Sequence, residues 1–479
     1  MKKTKIVCTL GPSTDSDEVL SKMIDLGMNV ARFNFSHGTY EEHERRFVQL
    51  KRVAEKSGRP VAVLLDTKGP EIRVKQFKDG KVKVTHGNTF TFTTRDVEGT
   101  DEMVSVTYDK FPQDVVEGMD ILVDDGLIAM EVISKNDTDV VCKILNDGAI
   151  SNNKGVNIPG AHLTMPFISE KDRSDIIFGI KLGVDFIAAS FTRSARDILA
   201  VKEILRQHNA THIQIIAKIE NLEGVENIDE IIEVADGIMI ARGDMGVEIP
   251  SEEVPILQKM IIKKMNAAGK KVITATQMLD SMIKNPRPTR AETTDVANAI
   301  YDGTSAVMLS GETAAGAYPV ESVAMMAKIV RRTEKAMDYK NLFEERRNGV
   351  EADTTNAIAR ATCATAHDLN AKAIIAVTKS GQTARVIAKF RPAVPIITCT
   401  TSETAYRQLS LAWGAHPILI EEEHETFVLL EHAVAAVKEA GFVEEGDTVV
   451  ITAGIPLGIS GTTNLIKVHV VGEDMRQEV

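Results

Sequence analysis

The fold is decided by Ile213-Gln-Ile-Ile-Ala-Lys218-Ile-Glu220-Asn221, followed after a spacer by Gly237-Ile-Met-Ile-Ala-Arg242-Gly243-Asp244-Met-Gly246. Two apolar runs, Ile213 to Ile219 and Ile238 to Ala241, are short and rich in β-branched residues, the pattern of strands buried on both faces. Each run ends in charge, Lys218 and Glu220 on the first and Arg242 and Asp244 on the second. Between them Val225, Ile228, Ile231, Ile232 and Ala235 recur at helical spacing, so Leu222 to Val234 reads as a helix. A strand–helix–strand unit puts both carboxylates at the carboxyl ends of parallel strands, where α/β barrels keep their active sites.

That placement restricts the chemistry. Two carboxylates with no His or Cys beside them suit a hard, oxygen-seeking divalent cation such as Mg²⁺. Lys218 lies two residues before Glu220, so the two share a strand face and the ammonium sits beside the metal. Gly243 lets backbone approach a ligand closely, and the amides after it open a helix suited to an anion. Metal, lysine and amide cradle together indicate phosphoryl or enolate chemistry. Either strand end alone reads equally well as solvated charge; their coincidence points to a site.

Composition sets the outer bounds. The chain has 479 residues, 43% of them hydrophobic, which is too long for one ordinary core and implies about three domains. Its 56 basic and 68 acidic side chains leave a net charge of −12, which disfavours nucleic-acid and membrane binding and requires a local basic pocket for any anionic substrate. Cys8, Cys142, Cys363 and Cys399 are scattered without metal or disulfide spacing, as expected of reduced cytoplasmic thiols. The apolar run Ile6 to Leu10 is too short for a signal peptide, and no segment reaches transmembrane length.

Outward from the deciding stretch, the strand–helix rhythm repeats. Strands are expected at Lys5 to Leu10, Met28 to Phe35, Pro60 to Leu65, Asp185 to Phe191, Ile213 to Glu220, Gly237 to Asp244, Lys271 to Met278 and Ser305 to Glu312. Helical patterns lie between them, among them Thr289 to Tyr301, which opens with a Thr289-x-x-Glu292 capping box. Eight such units make a complete (β/α)₈ barrel. Arg32, Asn34 and Ser36 share one face of the second strand by its period of two, and the third strand ends in Asp66-Thr67-Lys68-Gly69-Pro70-Glu71-Ile72-Arg73. From about Arg73 to Pro166 the helical period gives way to short β-rich runs separated by turn signals such as Asp79-Gly80 and Asp147-Gly148, a cap over the barrel mouth from which Lys154 reaches towards a phosphate. After Tyr339 the charged, poorly periodic segment to Asp353 reads as a linker. The remainder alternates strands and helices again, with Thr378-Lys379-Ser380-Gly381-Gln382-Thr383 at a helix start, either a phosphate site or a plain N-cap. A second small-residue loop, Ile459 to Asn464, is placed to complete the same site. The expected fold is therefore α/β: a (β/α)₈ TIM barrel (1–69 and 167–340), a β-barrel cap inserted after strand 3 (70–166) and a C-terminal α/β domain (341–479).

Six motifs together resemble the pyruvate kinase family: Met28-Asn-Val-Ala-Arg32-Phe-Asn34-Phe-Ser36-His-Gly38, Leu65-Asp66-Thr67-Lys-Gly-Pro-Glu71-Ile-Arg73, Ala217-Lys218-Ile-Glu220-Asn221, Ala241-Arg-Gly243-Asp244-Met-Gly246, Ala275-Thr276-Gln-Met-Leu-Asp-Ser-Met282 and Asn285-Pro-Arg-Pro-Thr-Arg-Ala-Glu292. The resemblance covers essentially the whole chain. It implies phosphoryl transfer from phosphoenolpyruvate to ADP, giving pyruvate and ATP. It further implies Mg²⁺ (or Mn²⁺) on Glu220 and Asp244, and K⁺ on Asn34, Ser36, Asp66 and the Thr67 carbonyl. Lys218 would offset charge on the phosphoryl group in transit, Arg32 bind it, and Arg73 and Lys154 handle nucleotide phosphates. Thr276 and the Gly243 and Asp244 amides would position the substrate carboxylate, with Thr276 near the enolate's protonation path. Glu71 stands where K⁺-dependent members carry glutamate and K⁺-independent members lysine. The Thr378 to Thr383 loop resembles the family's effector-phosphate pocket, with fructose 1,6-bisphosphate, a sugar monophosphate and AMP all open as effectors. A homotetramer is implied by resemblance alone. Two rival readings share parts of this pattern: a Mg²⁺-dependent lyase or aldolase on a 2-oxo acid enolate, which has no need of Arg73 or a phosphate-reaching cap, and a metabolite sensor without catalysis.

Overall fold

The computed structural model describes residues 1–346, 353–456 and 463–476. Eight strands, Lys5–Thr9, Val30–Asn34, Ala62–Asp66, Phe186–Ala189, Gln214–Ile219, Gly237–Ala241, Lys271–Ala275 and Ala306–Leu309, form a closed barrel in sequence order. Every neighbouring pair is parallel. The alternation of side chains along each strand builds two apolar layers. Val7, Val30, Leu64, Phe186, Ile216, Met239, Ile273 and Met308 fill the interior, while Ile6, Ala31, Val63, Ile187, Ile215, Ile238, Val272 and Val307 face the helices. One interior side chain comes from elsewhere in the sequence. Leu411 of the C-terminal domain is fully buried among the interior group and stops the barrel at its amino-terminal end.

Several strands end earlier than expected. The sixth stops at Ala241 rather than Asp244, because Arg242–Glu248 turns directly into a helix; Asp244 therefore stands in that helix's first turn. The helix expected over Leu222 to Val234 is two pieces, Leu222–Glu226 and Ile228–Val234. Asn221 caps the first piece by accepting from the Gly224 amide, and the Asn227 side chain between them donates to the Arg193 carbonyl. The Thr289–Glu292 capping box forms as expected, with Thr289 accepting from the Glu292 amide and Glu292 accepting from that of Thr289.

The insertion carries a seven-stranded sheet and a two-stranded ribbon, Lys81–Val84 with Gly148–Ser151, over one apolar cluster that includes Phe90, Phe92 and Phe111. Ile72–Arg73 and Gly155–Asn157, too short to stand out in sequence, pair with each other, so Arg73 and Lys154 emerge side by side. Helix Tyr339–Arg346 replaces the first part of the expected linker. Its one buried residue, Phe343, packs on Phe390 and His367 of the C-terminal domain, a tertiary contact that single-helix periodicity does not reveal. Residues 347–352 of that linker lie outside the described residues. The C-terminal sheet has strands Ala415–Leu419, Ile396–Thr400, Ala373–Val377, Thr448–Gly454 and Thr463–Val470 in spatial order, the last antiparallel.

Candidate active site

The carboxyl ends of the barrel strands bring together a buried charge cluster. Asp66, the last residue of the third strand, is fully buried, and Lys218 and Glu220 at the end of the fifth are 8% and 1% exposed. Lys218 Nζ lies 3.1 Å from Asp66 Oδ1 and 2.9 Å from Glu220 Oε1. Arg32 donates from Nε to Asp66 Oδ2 at 2.5 Å and from Nη1 to Thr9 Oγ1 at 3.0 Å. Burial opposes ionisation of Asp66, but the Arg32 and Lys218 charges outweigh it and hold the carboxyl below its usual range. Burial likewise disfavours the Lys218 ammonium, yet Asp66 and Glu220 overcome this and raise its pKa. Glu220 goes the other way. Burial lifts it well above the usual carboxylate range despite Lys218, and the Asp244 charge adds to the rise. Two carboxylates that repel each other in a buried mouth, both hard oxygen donors, fit a divalent cation such as Mg²⁺. Among the described residues no group of three or more His, Cys, Asp or Glu is arranged to hold a metal ion.

Two residues of this cluster were not singled out from sequence. Ser190 Oγ accepts from Lys218 Nζ at 2.8 Å and lies 2.6 Å from the Thr67 carbonyl and 3.0 Å from Asp66 Oδ1, donating its one proton to one of them. Phe191 adopts a left-handed φ of 55°, and its amide donates to Glu220 Oε2 at 2.6 Å. A left-handed aromatic is strained, and strain of this kind collects at functional sites. The only local signal was a serine closing an otherwise apolar strand, Phe186-Ile-Ala-Ala-Ser190.

Across the mouth, Thr276 and Gln277 are consecutive non-glycine residues in the left-handed region, with φ of 68° and 54°. Arg242 secures this turn, donating to the Ala275 carbonyl at 3.2 Å and the Thr276 carbonyl at 2.8 Å while paired with Asp295 at 2.7 Å. Thr276 Oγ1 accepts from the Gly243 amide at 2.7 Å. The Gly243 amide expected to greet an anion is thus already engaged with Thr276. Asn34 and Asp66 are register partners on adjacent strands. Asn34 Oδ1 accepts from the Ser36 amide at 3.2 Å.

The cap faces this mouth across a cleft of about 340 Å³ lined by Arg73, Asp124, Asp125, Lys154, Asn221, Asp244 and Glu248 among others. Arg73 is held bidentate by Glu71, both contacts 2.7 Å, and Lys154 pairs with Asp124 at 2.8 Å. Asn157 of the cap donates to Glu248 on the barrel at 3.1 Å. Burial raises Asp125, and the charges of Asp244 and Asp124 add to it.

The Thr378 to Thr383 loop lies in the C-terminal domain, apart from this mouth. Thr378 Oγ1 accepts from the Gly381 amide at 3.1 Å across a glycine at φ 78°, and Lys379 faces Glu422 at 3.5 Å. Ser380 offers its carbonyl to Arg385 at 2.9 Å, and Gln382 its side-chain oxygen to the same guanidinium at 2.7 Å. Thr383 meets Thr463 at 2.8 Å, joining this loop to the end of the second small-residue loop, whose residues 459–462 lie outside the described residues.

Comparison with known proteins agrees with this geometry. A family model for the pyruvate kinase barrel domain matches residues 1–323, and one for the pyruvate kinase alpha/beta domain matches residues 356–469. A pyruvate kinase from Geobacillus stearothermophilus is 52% identical over 474 residues, covering 98% of this chain and 81% of the relative. One from Staphylococcus aureus (strain MRSA252) is 53% identical over 477 residues, covering 99% and 81%. The crystal structure of a pyruvate kinase from Cryptosporidium parvum superposes with a TM-score of 0.93 at 41% identity, covering 98% of this chain and 96% of that one. With both family models matched in order, and with relatives this similar along nearly its whole length, the chain belongs to the pyruvate kinase family.

Proposed function

We propose that this enzyme transfers the phosphoryl group of phosphoenolpyruvate to ADP, giving pyruvate and ATP at the last step of glycolysis. The observation that carries the reading is the Lys218 ammonium, fixed between Asp66, Glu220 and Ser190 with the Arg32 guanidinium on the other side of Asp66. A transferring phosphoryl group needs positioning and charge neutralisation more than covalent help, and preorganised cations provide both without reorganising. Arg32 and Lys218 bind the phosphoryl group of the substrate, and Lys218 stabilises it between donor and acceptor. Gly243, Asp244 and Thr276 position the substrate carboxylate, with Thr276 near the enolate's protonation path. Arg73 and Lys154 take the nucleotide phosphates from the cap side, and closure of the cap keeps water from competing for the phosphoryl group. Glu220 and Asp244 would hold Mg²⁺ or Mn²⁺, which would supply Lewis-acid chemistry. Asn34, Ser36, Asp66 and Thr67 would hold K⁺, which would balance local negative charge.

The reading extends to organisation. The barrel comprises 1–69 and 167–340, the cap 70–166 and the regulatory domain 341–479. The Thr378 to Thr383 loop takes a phosphorylated effector, the chain works as a homotetramer, and it acts in the cytoplasm without nucleic-acid or membrane partners. No helix among the described residues is long and apolar enough to cross a membrane. The deciding experiment measures pyruvate formation from phosphoenolpyruvate and ADP with Mg²⁺ and K⁺. Turnover supports the reading; none, even with sugar phosphates added, turns it towards the lyase or the sensor.

A further inference from the structure

The amino-terminal end of the barrel carries a cluster of basic side chains. Where it meets the C-terminal domain, a crevice of about 20 Å³ is lined by Lys270, Lys271, Arg385, Lys389 and Arg391 and bounded by Ala412 and Trp413. Among the described residues lining it there is no carboxylate. Lys271 and Arg391 are buried, at 6% and 3% exposure.

Neutral groups partly solvate these cations. Lys271 Nζ donates to Gln214 Oε1 at 2.6 Å, and Lys270 to the carbonyls of Ile232, Glu233 and Ala235. Arg391 Nη2 donates to Asn266 Oδ1 at 2.8 Å and the Gly303 carbonyl at 2.7 Å, and its guanidinium lies 4.3 Å over the Trp413 ring. Dipoles of this kind solvate a charge without cancelling it, and buried charges normally have counter-charges. The acids within electrostatic reach stand outside the crevice and offset its charges only from there. Asp236, felt by Lys271 and Arg385, accepts from the Ile215 amide. Glu334, felt by Arg391, accepts from the Lys3 and Thr4 amides. One donor at the crevice has no acceptor at all: Arg391 Nε is buried without a hydrogen-bond partner. Burial accordingly depresses Lys271 to about 7 and Arg391 well below its usual value. The space holds one water-sized group, which excludes an organic metabolite.

We propose that this crevice binds one halide ion, held by Lys271, Arg385 and Arg391 between the barrel and the C-terminal domain. The bound anion supplies a counter-charge inside the crevice and ties the two domains together. Because Arg385 belongs to the helix Gln382–Lys389, which begins at the Thr378 to Thr383 loop, the anion also braces that helix against the barrel.

The test uses the full-length protein at constant ionic strength, starting in gluconate, which is too large to enter. Replacing gluconate by chloride is expected to raise the melting temperature saturably, on the order of 1–3 °C, and replacing it by the larger inorganic phosphate is not. Lys271→Met is expected to lose that saturable rise and to melt above the parent in gluconate, because a buried charge is gone. A rise with phosphate but none with chloride would overturn the proposal. Equal rises in parent and Lys271→Met, or a variant destabilised alike in every salt, would overturn the proposal. Crystals soaked in bromide give an independent readout. An anomalous peak between Lys271 and Arg391 supports the site, and its absence together with no response to chloride refutes it.

Discussion

Replacing Lys218 by methionine keeps the length of the side chain and removes its charge. Its two carboxylate partners lie at 2.9 and 3.1 Å, so each attraction is worth roughly 5 kcal/mol at an effective dielectric of about 20. Much of that is offset by the cost of burying the ammonium, and loss of one member of a buried ionic cluster typically costs about 3–5 kcal/mol of stability. Arg32 still pairs with Asp66 in the variant, which puts the loss at the low end of that range. The catalytic loss is separate. A fixed donor aimed at charge developing in the transition state is worth about 10²–10³ in kcat, or about 2.7–4 kcal/mol. The variant is therefore expected to fold, to melt lower, and to form pyruvate with kcat down at least about 10²-fold and a smaller change in KM for phosphoenolpyruvate. The assay is steady-state pyruvate formation with melting curves run alongside, and Lys218→Arg as the charge-conserving control. A kcat within about tenfold of the parent in a folded Lys218→Met protein would refute the electrostatic role assigned here to Lys218.

Three further outcomes are expected. Activity should depend on K⁺, and Glu71→Lys should relieve that dependence; equal parent rates with and without K⁺ would contradict the assignment of the Asn34, Ser36, Asp66 and Thr67 oxygens. Leu411→Ala should destabilise the protein by about 2–5 kcal/mol, because the leucine fills the closed end of the barrel interior, and a melting temperature unchanged from the parent would show that the plug contributes nothing. For Lys271, burial holds the folded pKa near 7, with Arg385 adding to the depression, against about 10.5 unfolded. The unfolded chain then binds more protons between those values, so the penalty is complete below about pH 7 and fades towards pH 10.5. In gluconate, the advantage of Lys271→Met over the parent should therefore be larger at pH 6 than at pH 9, and a difference independent of pH would exclude this titration.

Local pattern alone determined the barrel. Eight short apolar runs alternating with amphipathic stretches leave a parallel, doubly covered sheet as the way to bury both faces of each strand, and the closed sheet follows that order. The same pattern marked Lys218, Glu220 and Asp66, because charge at the carboxyl end of a buried strand has nowhere to go but the mouth. Tertiary structure alone decided what joins those ends. Ser190 and the strained Phe191 amide acquire meaning only once the fourth strand lies between the third and the fifth, since hydrogen bonds across a barrel have no spacing in sequence. Arg242, read as a charge closing a strand, turns out to brace the Thr276 turn, a role set by the neighbouring strand rather than its own. Leu411 lies far from the barrel in sequence, in the C-terminal domain, yet it completes the barrel interior. Phe343, in what read as a linker, anchors a helix for the same reason: burial depends on what arrives from elsewhere in the chain, and a single stretch of sequence records only its own side of the contact.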